Sequence, residues 1–397
     1  MMDKHHEVLI IGGGNAGVSL AARLLRKSKI DVAVIEPKSV HYYQPLYSHV
    51  AGGAARMSET TRSQKSVMPR NAHWIQDRVT DILPAENLVT LSDGSRLGYG
   101  QLVVCPGLQL DFDAVPGLPE AMDGVHGTSD YAHDMVVGTW ELIQKMTSGT
   151  VVFTQPPGAA KCSGAAQKVA YMACDYWSSQ GVLQDLEVHL VVPSPTVFGM
   201  PEVDAELNRK IAEYGITLHT GTTLESVDST RRTITLHGPA GQSTLNYDLL
   251  HAVPPQSAPQ WLKNTSLPAP GDAGGFVEVD GGTLRHPRYP NVWSLGDAAG
   301  TANSKSGGAL RKQTKIVAQN LLAVRGGGEP TGHYDGYSVC PFTLTRGTAF
   351  FAEFGTQYQP MKSFPVARMA KERRWQWIVD RWIFPQVYWN LILKGRA

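Results

Sequence analysis

Glu7-Val8-Leu9-Ile10-Ile11 reads as a short apolar strand, its run Val8 to Ile11 unbroken, the pattern of a strand covered on both faces. Gly12-Gly13-Gly14-Asn15-Ala16-Gly17 follows, and from Val18 to Arg26 the period changes, with Leu20, Leu24 and Leu25 on one helical face. Asp31 to Glu36 then reads as a second strand ending in an acid. Leu102-Val103-Val104 runs into Cys105-Pro106-Gly107, and Tyr289 to Asp297 reads as a turn, a strand and a closing Gly-Asp, with a helix predicted from Gly307 to Asn320. Between these lie predicted strands Thr150 to Thr154 and Val188 to Val192, flanking a helix from about Ser163 to Trp177. Near the end Trp375, Ile378, Val379, Trp382 and Ile383 share a helical face, Pro385 is expected to break that helix, and Val387 to Leu393 makes a second short apolar segment. Strands alternating with helices predict an α/β fold. The expected organisation is two Rossmann-like, dinucleotide-binding-type domains. Residues 1–110 and 286–325 form the first, 111–285 the second, and 326–397 a C-terminal region whose amphipathic segment, from about Ala367, docks on a membrane.

Strand, G-x-G-x-x-G, helix, strand and acid, in that order, specify a dinucleotide site. Gly12 makes the tight turn, Gly14 lets a pyrophosphate approach the backbone, and Gly17 lets helix and strand pack closely. Asn15 and Ala16 open the helix, whose N-terminus faces the phosphates, and Glu36 accepts from ribose hydroxyls. The motif alone does not separate FAD from NAD. The strand end at Gly107 and the Gly296-Asp297 pair resemble the further FAD motifs of flavoproteins with two dinucleotide-type domains, in which such an acid holds the ribityl chain. The alternative is that Asp297 caps the turn that follows it. Lys305 and Gly307 lie where the next helix begins, with its N-terminus toward the flavin. A second domain that binds NADH needs its own G-x-G-x-x-G, and residues Gln155 to Gly164 hold only Gly158 and Gly164, too far apart. The second domain is therefore expected to keep its shape without a nicotinamide site.

Composition adds three points. At 397 residues, 42% hydrophobic and 18% charged, the chain can bury two or three cores. A net charge of +1 gives no global basic footprint, so no nucleic-acid partner is expected. That total hides a basic end: residues 361–397 hold eight basic side chains against two acids, with Trp375, Trp377, Trp382 and Trp389 among them. This suits an in-plane anchor on anionic lipid, the alternatives being a helix packed on the protein's own core or a dimer contact. No apolar run approaches the roughly 18–20 residues of a membrane span, and no export or transit leader is read at the N-terminus. Four cysteines without C-x-x-C predict neither a disulfide scaffold nor a metal site.

Cys162 stands at the start of the predicted central helix beside Lys161, where dipole and charge both favour thiolate. Cys340 lies in a stretch that reads as loop, while Cys105 and Cys174 read as core. Spacing does not show that Cys162 and Cys340 meet, and residue type alone leaves them as two unrelated thiols.

The chain resembles the sulfide:quinone oxidoreductase family, nearest the branch that includes the mitochondrial enzyme, from Glu7 to about Gly395. The most specific pieces are His41-Tyr42-Tyr43-Gln44-Pro45, Lys161-Cys162-Ser163-Gly164-Ala165-Ala166-Gln167-Lys168, Tyr334-Asp335-Gly336-Tyr337 with Cys340-Pro341, and Ala352-Glu353-Phe354. It departs at Cys105, where relatives often have Ala, and at the glycine-richer Ser304 to Gly308. The resemblance implies that Cys162 and Cys340 are a redox pair beside FAD, bridged directly or through an extra sulfur. It implies that Gln44 and Val79 touch FAD. Sulfide opens the bridge, Cys340 becomes the persulfide, Cys162 faces the flavin, and a thiol, sulfite or further sulfide removes the sulfane sulfur. Electrons pass to membrane quinone, for which Phe351, Glu353 and Phe354 are candidate contacts. The expected location is peripheral, on the cytoplasmic face of a prokaryotic inner or plasma membrane. The competing readings are a type II NADH:quinone dehydrogenase, a flavocytochrome-type sulfide dehydrogenase subunit, and a flavin-holding interaction protein without catalysis.

Overall fold

The computed structural model describes residues 4–162, 164–363 and 369–397; Ser163 and Ala367, where the sequence places the starts of the central helix and of the tail, lie outside them. The strand Lys4–Ile11 is parallel to Val32–Ile35 on one side and to Arg96–Val104 on the other. His73–Ile75 extends the sheet beyond Val32–Ile35, and Val292–Ser294 returns from late in the chain to lie parallel beside Arg96–Val104. Leu88–Leu91 and Val79–Leu83 continue it antiparallel. The helices Asn15–Lys27 and Gly307–Arg325 cover one face, where Leu20, Leu24, Val317 and Leu321 pack with Val8 and Ile10; Leu9 and Ile11 enter a separate core with Leu102 and Val292. Burial on both faces is why this strand reads as an unbroken apolar run.

A second, all-parallel sheet runs Gly127–Thr128, Leu249–Ala252, Gly149–Thr154, Leu186–Val191, Thr217–His219. The helix Ala165–Gln180 packs on it, and its core is shared with the antiparallel hairpin Ser338–Thr343 and Ala349–Phe354. Cys340 belongs to this hairpin, opposite Ala352, rather than to the expected loop. Its side chain points into the core that also holds Phe342 and Phe350, and pairing to a second strand satisfies a backbone that the local turn residues made look irregular.

The tail is helical without a break from 374 to 392, alternating α-helical Arg374–Ile378 and Phe384–Val387 with π-helical Val379–Ile383 and Tyr388–Ile392. Pro385 does not end it, contrary to expectation, because the wide turn before it already opens the i to i−4 ladder that the ring would disrupt. The wide turn also rotates Asp380 and Arg381 inward together: both are buried, and Arg381 donates to Glu59 and to the Ala54 carbonyl. Arg381, one of the eight basic side chains expected to serve an anionic surface, is thus a latch onto the protein instead. Trp375, Ile378, Trp382 and Ile383 point outward, 44–52% exposed. Tyr388, Trp389 and Leu393 are instead core residues, packed with Val18, Tyr43 and Leu46. Among the described residues no helix is long and apolar enough to cross a membrane.

Candidate active site

The glycine loop has the geometry its sequence requires. Gly12 holds φ +102, and a Cβ there would collide with the Cys105 carbonyl; a Cβ on Gly17 would collide with the Gly12 carbonyl. Gly14 differs, for beyond its own chain neighbours no protein atom lies within 4 Å of where its Cβ would stand. The helix it opens has neither a side-chain cap nor an acid in its first turn. A bare helix N-terminus over an open glycine is the form that fits a pyrophosphate. Asn15 Oδ1 accepts from Ser19 (2.9 Å), and Ala16 is buried against the sheet. Glu36, at the end of its strand, accepts from the N–H groups of Gly13 and Lys38, both at 2.9 Å.

Two buried side chains not foreseen from the sequence hold the loop from behind. Gln64 Nε2 donates to the Gly13 carbonyl at 2.8 Å. His41 Nδ1 donates to the same oxygen at 3.1 Å, while its Nε2 accepts from Tyr388 of the tail at 2.6 Å. Burial keeps the His41 imidazole below its ordinary pKa, consistent with that neutral tautomer.

Gly107 and Gly296 both hold positive φ, and the Gly296 N–H donates to Gln313. Gly307 begins its helix after Ser306, whose hydroxyl caps it by accepting from the Ala309 N–H. Burial pushes the Asp297 carboxyl up, against the pull of Lys305 and Lys161. Lys305 Nζ donates to the carbonyls of Asp297 (2.7 Å) and Ala299 (2.9 Å), and burial brings its pKa down to about 8. Val79 is buried in the strand that edges this sheet.

Cys162 lies just ahead of the helix Ala165–Gln180 in a left-handed backbone conformation, φ +45, rare for a residue with a side chain. Its N–H donates to the Lys305 carbonyl (2.9 Å) and its carbonyl accepts from Tyr131 (2.9 Å), so both neighbouring loops over-determine the strained turn. Its Sγ is 3.4 Å from Cys340 Sγ, and both thiols are free. Gly164 makes this approach possible, since a Cβ there would strike the Phe342 ring and crowd Cys340 Sγ. The charge beside Cys162 comes from Lys168, whose Nζ is 3.6 Å from the sulfur. Lys161, which the sequence suggested, turns away to donate to Gln44 Oε1 (2.9 Å) and the Tyr131 carbonyl (3.2 Å). Lys161 is engaged elsewhere, and the first turn of the helix Ala165–Gln180 brings Lys168 over the thiol. The hydrogen bond from Cys340 lowers the Cys162 pKa, against burial and with the help of Lys168; the same bond, with burial, raises that of Cys340. Cys162 is therefore the thiolate and Cys340 the proton-bearing partner. Burial pushes up Cys105 and Cys174.

Residues 6–317 match the pyridine nucleotide-disulphide oxidoreductase family. The mitochondrial sulfide:quinone oxidoreductase of Dictyostelium discoideum is 34% identical over 393 residues, 98% of this chain and 86% of that protein. The chain belongs to the sulfide:quinone oxidoreductases. The mitochondrial sulfide:quinone oxidoreductase of Mus musculus is 33% identical over 395 residues, 98% of this chain and 87% of that protein. The X-ray structure of the sulfide:quinone oxidoreductase from Aquifex aeolicus superposes with a TM-score of 0.83, at 18% identity, over 99% of this chain and 91% of that one.

Within this sulfide:quinone oxidoreductase the three aromatic-strand candidates part company. Phe351 stacks on Phe384 of the tail, centroids 5.4 Å apart, and meets Trp375 edge-on at 6.4 Å. Glu353 accepts from Tyr337 (2.5 Å) and from Ser363, and Phe354 joins the Phe198–Tyr358 cluster. Lys168 closes the segment Lys161 to Lys168, but its spacing from Cys162 carries meaning only once the strained turn is known. Because Lys168 favours the thiolate, Cys162 in the reduced enzyme should react with iodoacetamide at neutral pH well before Cys105 or Cys174. Lys168→Met should move its alkylation midpoint upward by about one unit or more, measured by mass spectrometry across a pH series.

Proposed function

We propose that this enzyme oxidises hydrogen sulfide at Cys162 and Cys340 and passes the electrons through FAD to membrane quinone. The observation that carries the reading is the 3.4 Å sulfur pair with Lys168 against one member. Hydrosulfide attacks Cys340 Sγ in the bridged state. The bond between the cysteines breaks, Cys340 gains the new sulfur as a persulfide, and Cys162 leaves as the thiolate that Lys168 stabilises. A thiol, sulfite or second sulfide then takes the outer sulfur. FAD, when bound, supplies the two-electron acceptor and the route to quinone. Gly12, Gly14, Asn15, Ala16, Gly17, Glu36 and Gly107 would hold its dinucleotide end. Gln44, Asp297, Lys305, Gly296 and Gly307 would hold its flavin half, and Val79 would lie near the adenine. This division supports the assignment of residues 1–110 and 286–325 to cofactor, 111–285 to a second domain and 326–397 to the redox hairpin and tail.

We place quinone at Phe351, where the hairpin meets the tail helix. The outward face of Trp375, Ile378, Trp382 and Ile383, flanked by exposed Lys371, Arg373 and Arg374, supports docking in the interface of an anionic membrane. The cytoplasmic face of a prokaryotic inner or plasma membrane is the proposed location, tested by fractionation of cells that express the protein.

Anaerobic titration of the flavin spectrum tests the donor. Sulfide should bleach it rapidly and NADH should not, because the turn after Thr154 lacks the second glycine motif. Rapid bleaching by NADH at comparable concentration would replace this reading with an NADH:quinone dehydrogenase; slow bleaching by both would favour a non-catalytic flavin holder.

A further inference from the structure

The tail helix is seated against residues 54–62. Arg381 donates to the Ala54 carbonyl and to both carboxylate oxygens of Glu59, and its guanidinium lies over the ring of Trp382, 3.9 Å from the centroid. Further along the tail, the Arg62 guanidinium lies over the ring of Trp389 at 4.9 Å. Residues 381 and 389 stand roughly 12 Å apart along a helix, so residues 54–62 flank the tail over that length. The short helix that follows, Gln64–Val67, puts Val67 into the core with Tyr388, Trp389 and Leu393. Trp382 belongs to the half-exposed apolar face, so this flank borders that face directly.

The flank is basic where the chain around it is not. Residues 1–360 as a whole carry more acids than bases, yet from Gly52 to Gln76 the sequence holds Arg56, Arg62, Lys65 and Arg70 against a single acid, Glu59. That acid is taken by Arg381. All four bases are exposed, and among the described residues none of them has an ion-pair partner. Unpaired bases fixed beside an apolar face fit a surface that offers anionic headgroups above hydrocarbon. We infer that Arg56 and Arg62 dock on anionic lipid headgroups, so that the membrane-facing surface is a composite of the tail and residues 54–62. The tail supplies the apolar wedge. The arginines supply a charged margin along one flank, which fixes how the molecule tilts on the bilayer where the wedge alone would leave it free to roll. The inference rests on the docking of the tail proposed above.

The test is co-sedimentation of the FAD-loaded enzyme with phosphatidylcholine vesicles and with mixed phosphatidylcholine–phosphatidylglycerol vesicles. Flavin absorbance reports folding. Arg56→Gln combined with Arg62→Gln should weaken binding to the mixed vesicles by roughly 30-fold at low salt and leave binding to phosphatidylcholine alone unchanged. The deficit should shrink at high salt. Arg56→Lys combined with Arg62→Lys keeps both charges and should bind within about threefold of the parent. A role confined to packing on Trp389 predicts equal loss on both vesicles. Parent-like binding of the glutamine pair, equal loss on both vesicles, or a lysine pair as weak as the glutamine pair overturns the inference. The variant with Trp375, Ile378, Trp382 and Ile383 all changed to serine separates this failure from that of the tail. If it binds poorly while the glutamine pair matches the parent, tail docking stands and the inference falls; if both match the parent, both fall. Should the glutamine pair lose its FAD, arginine labelling of the parent by phenylglyoxal, read by mass spectrometry, decides. Mixed vesicles should shield Arg56 and Arg62 but not Arg231, exposed in the turn between the strands Thr223–Asp228 and Thr233–Gly238. Labelling of Arg56 and Arg62 undiminished by vesicles overturns the inference.

Discussion

Cys162→Ser and Cys340→Ser should each lower sulfide-dependent quinone reduction by roughly three orders of magnitude or more, while FAD stays bound. A serine hydroxyl neither forms the bridge that sulfide opens nor leaves as a stabilised anion beside Lys168. Flavin retention is expected because the loop from Gly12 to Gly17 is braced by Gln64, His41 and the backbone of Cys105, and by neither redox cysteine. Cys105→Ala and Cys174→Ala are the controls. Both residues are buried, and each change should cost about 1 kcal/mol of stability and leave turnover largely intact. Stopped-flow flavin reduction and steady-state reduction of a soluble quinone analogue read the result. Near-normal turnover in Cys162→Ser would disprove the two-cysteine mechanism.

The tail should give the second large effect, and it should split in two. Replacing Trp375, Ile378, Trp382 and Ile383 together by serine removes the half-exposed apolar face, at the cost of the Trp375 contact with Phe351 and the Trp382 contact with Arg381. Binding to anionic vesicles should fall by roughly 100-fold, with FAD content and sulfide-dependent flavin reduction unchanged. High salt should weaken the parent's binding only in part, since it screens Lys and Arg but not buried Trp. Deleting residues from 374 onward is a different experiment. It strips Tyr388, Trp389 and Leu393 from a core shared with Val18, Tyr43 and Leu46, at about 1.5–3 kcal/mol for each large side chain. Against a typical domain stability of about 5–15 kcal/mol, the truncated chain should lose FAD and fold poorly. Co-sedimentation and flavin absorbance distinguish the outcomes. Unchanged co-sedimentation of the four-serine variant would show that this face does not contact lipid.

What the sequence disclosed follows the range of the interactions involved. The turn from Gly12 to Gly17 is legible because strand, loop and helix are contiguous and each glycine answers a local steric demand. The meeting of Cys162 with Cys340 is not legible from the residues, since 178 positions separate them and only the folded hairpin brings them together. The resemblance to a known family supplied that pairing in advance. Lys168 rather than the adjacent Lys161 meets the thiol, because chain adjacency is a poor guide at a left-handed turn. The 3.6-residue period finds the outward face of Trp375, Ile378, Trp382 and Ile383, but in a helix with π-turns it predicts neither the inward turn of Arg381 nor the continuation past Pro385. Gln64 carries no motif, and its significance lies wholly in the Gly13 carbonyl it faces.

The chain of contacts from the Gly13 carbonyl through His41 to Tyr388 bears on how the protein is made. The His41–Tyr388 link joins residues 347 positions apart. At about 5–20 residues per second, a ribosome needs roughly 20–70 s to add that much chain. Throughout that interval the glycine loop exists without the tail that backs it. Stable flavin loading is therefore expected late in biogenesis, after the tail has emerged. An early translational stop in the last twenty codons should yield a colourless protein although every nucleotide-binding motif has been synthesised.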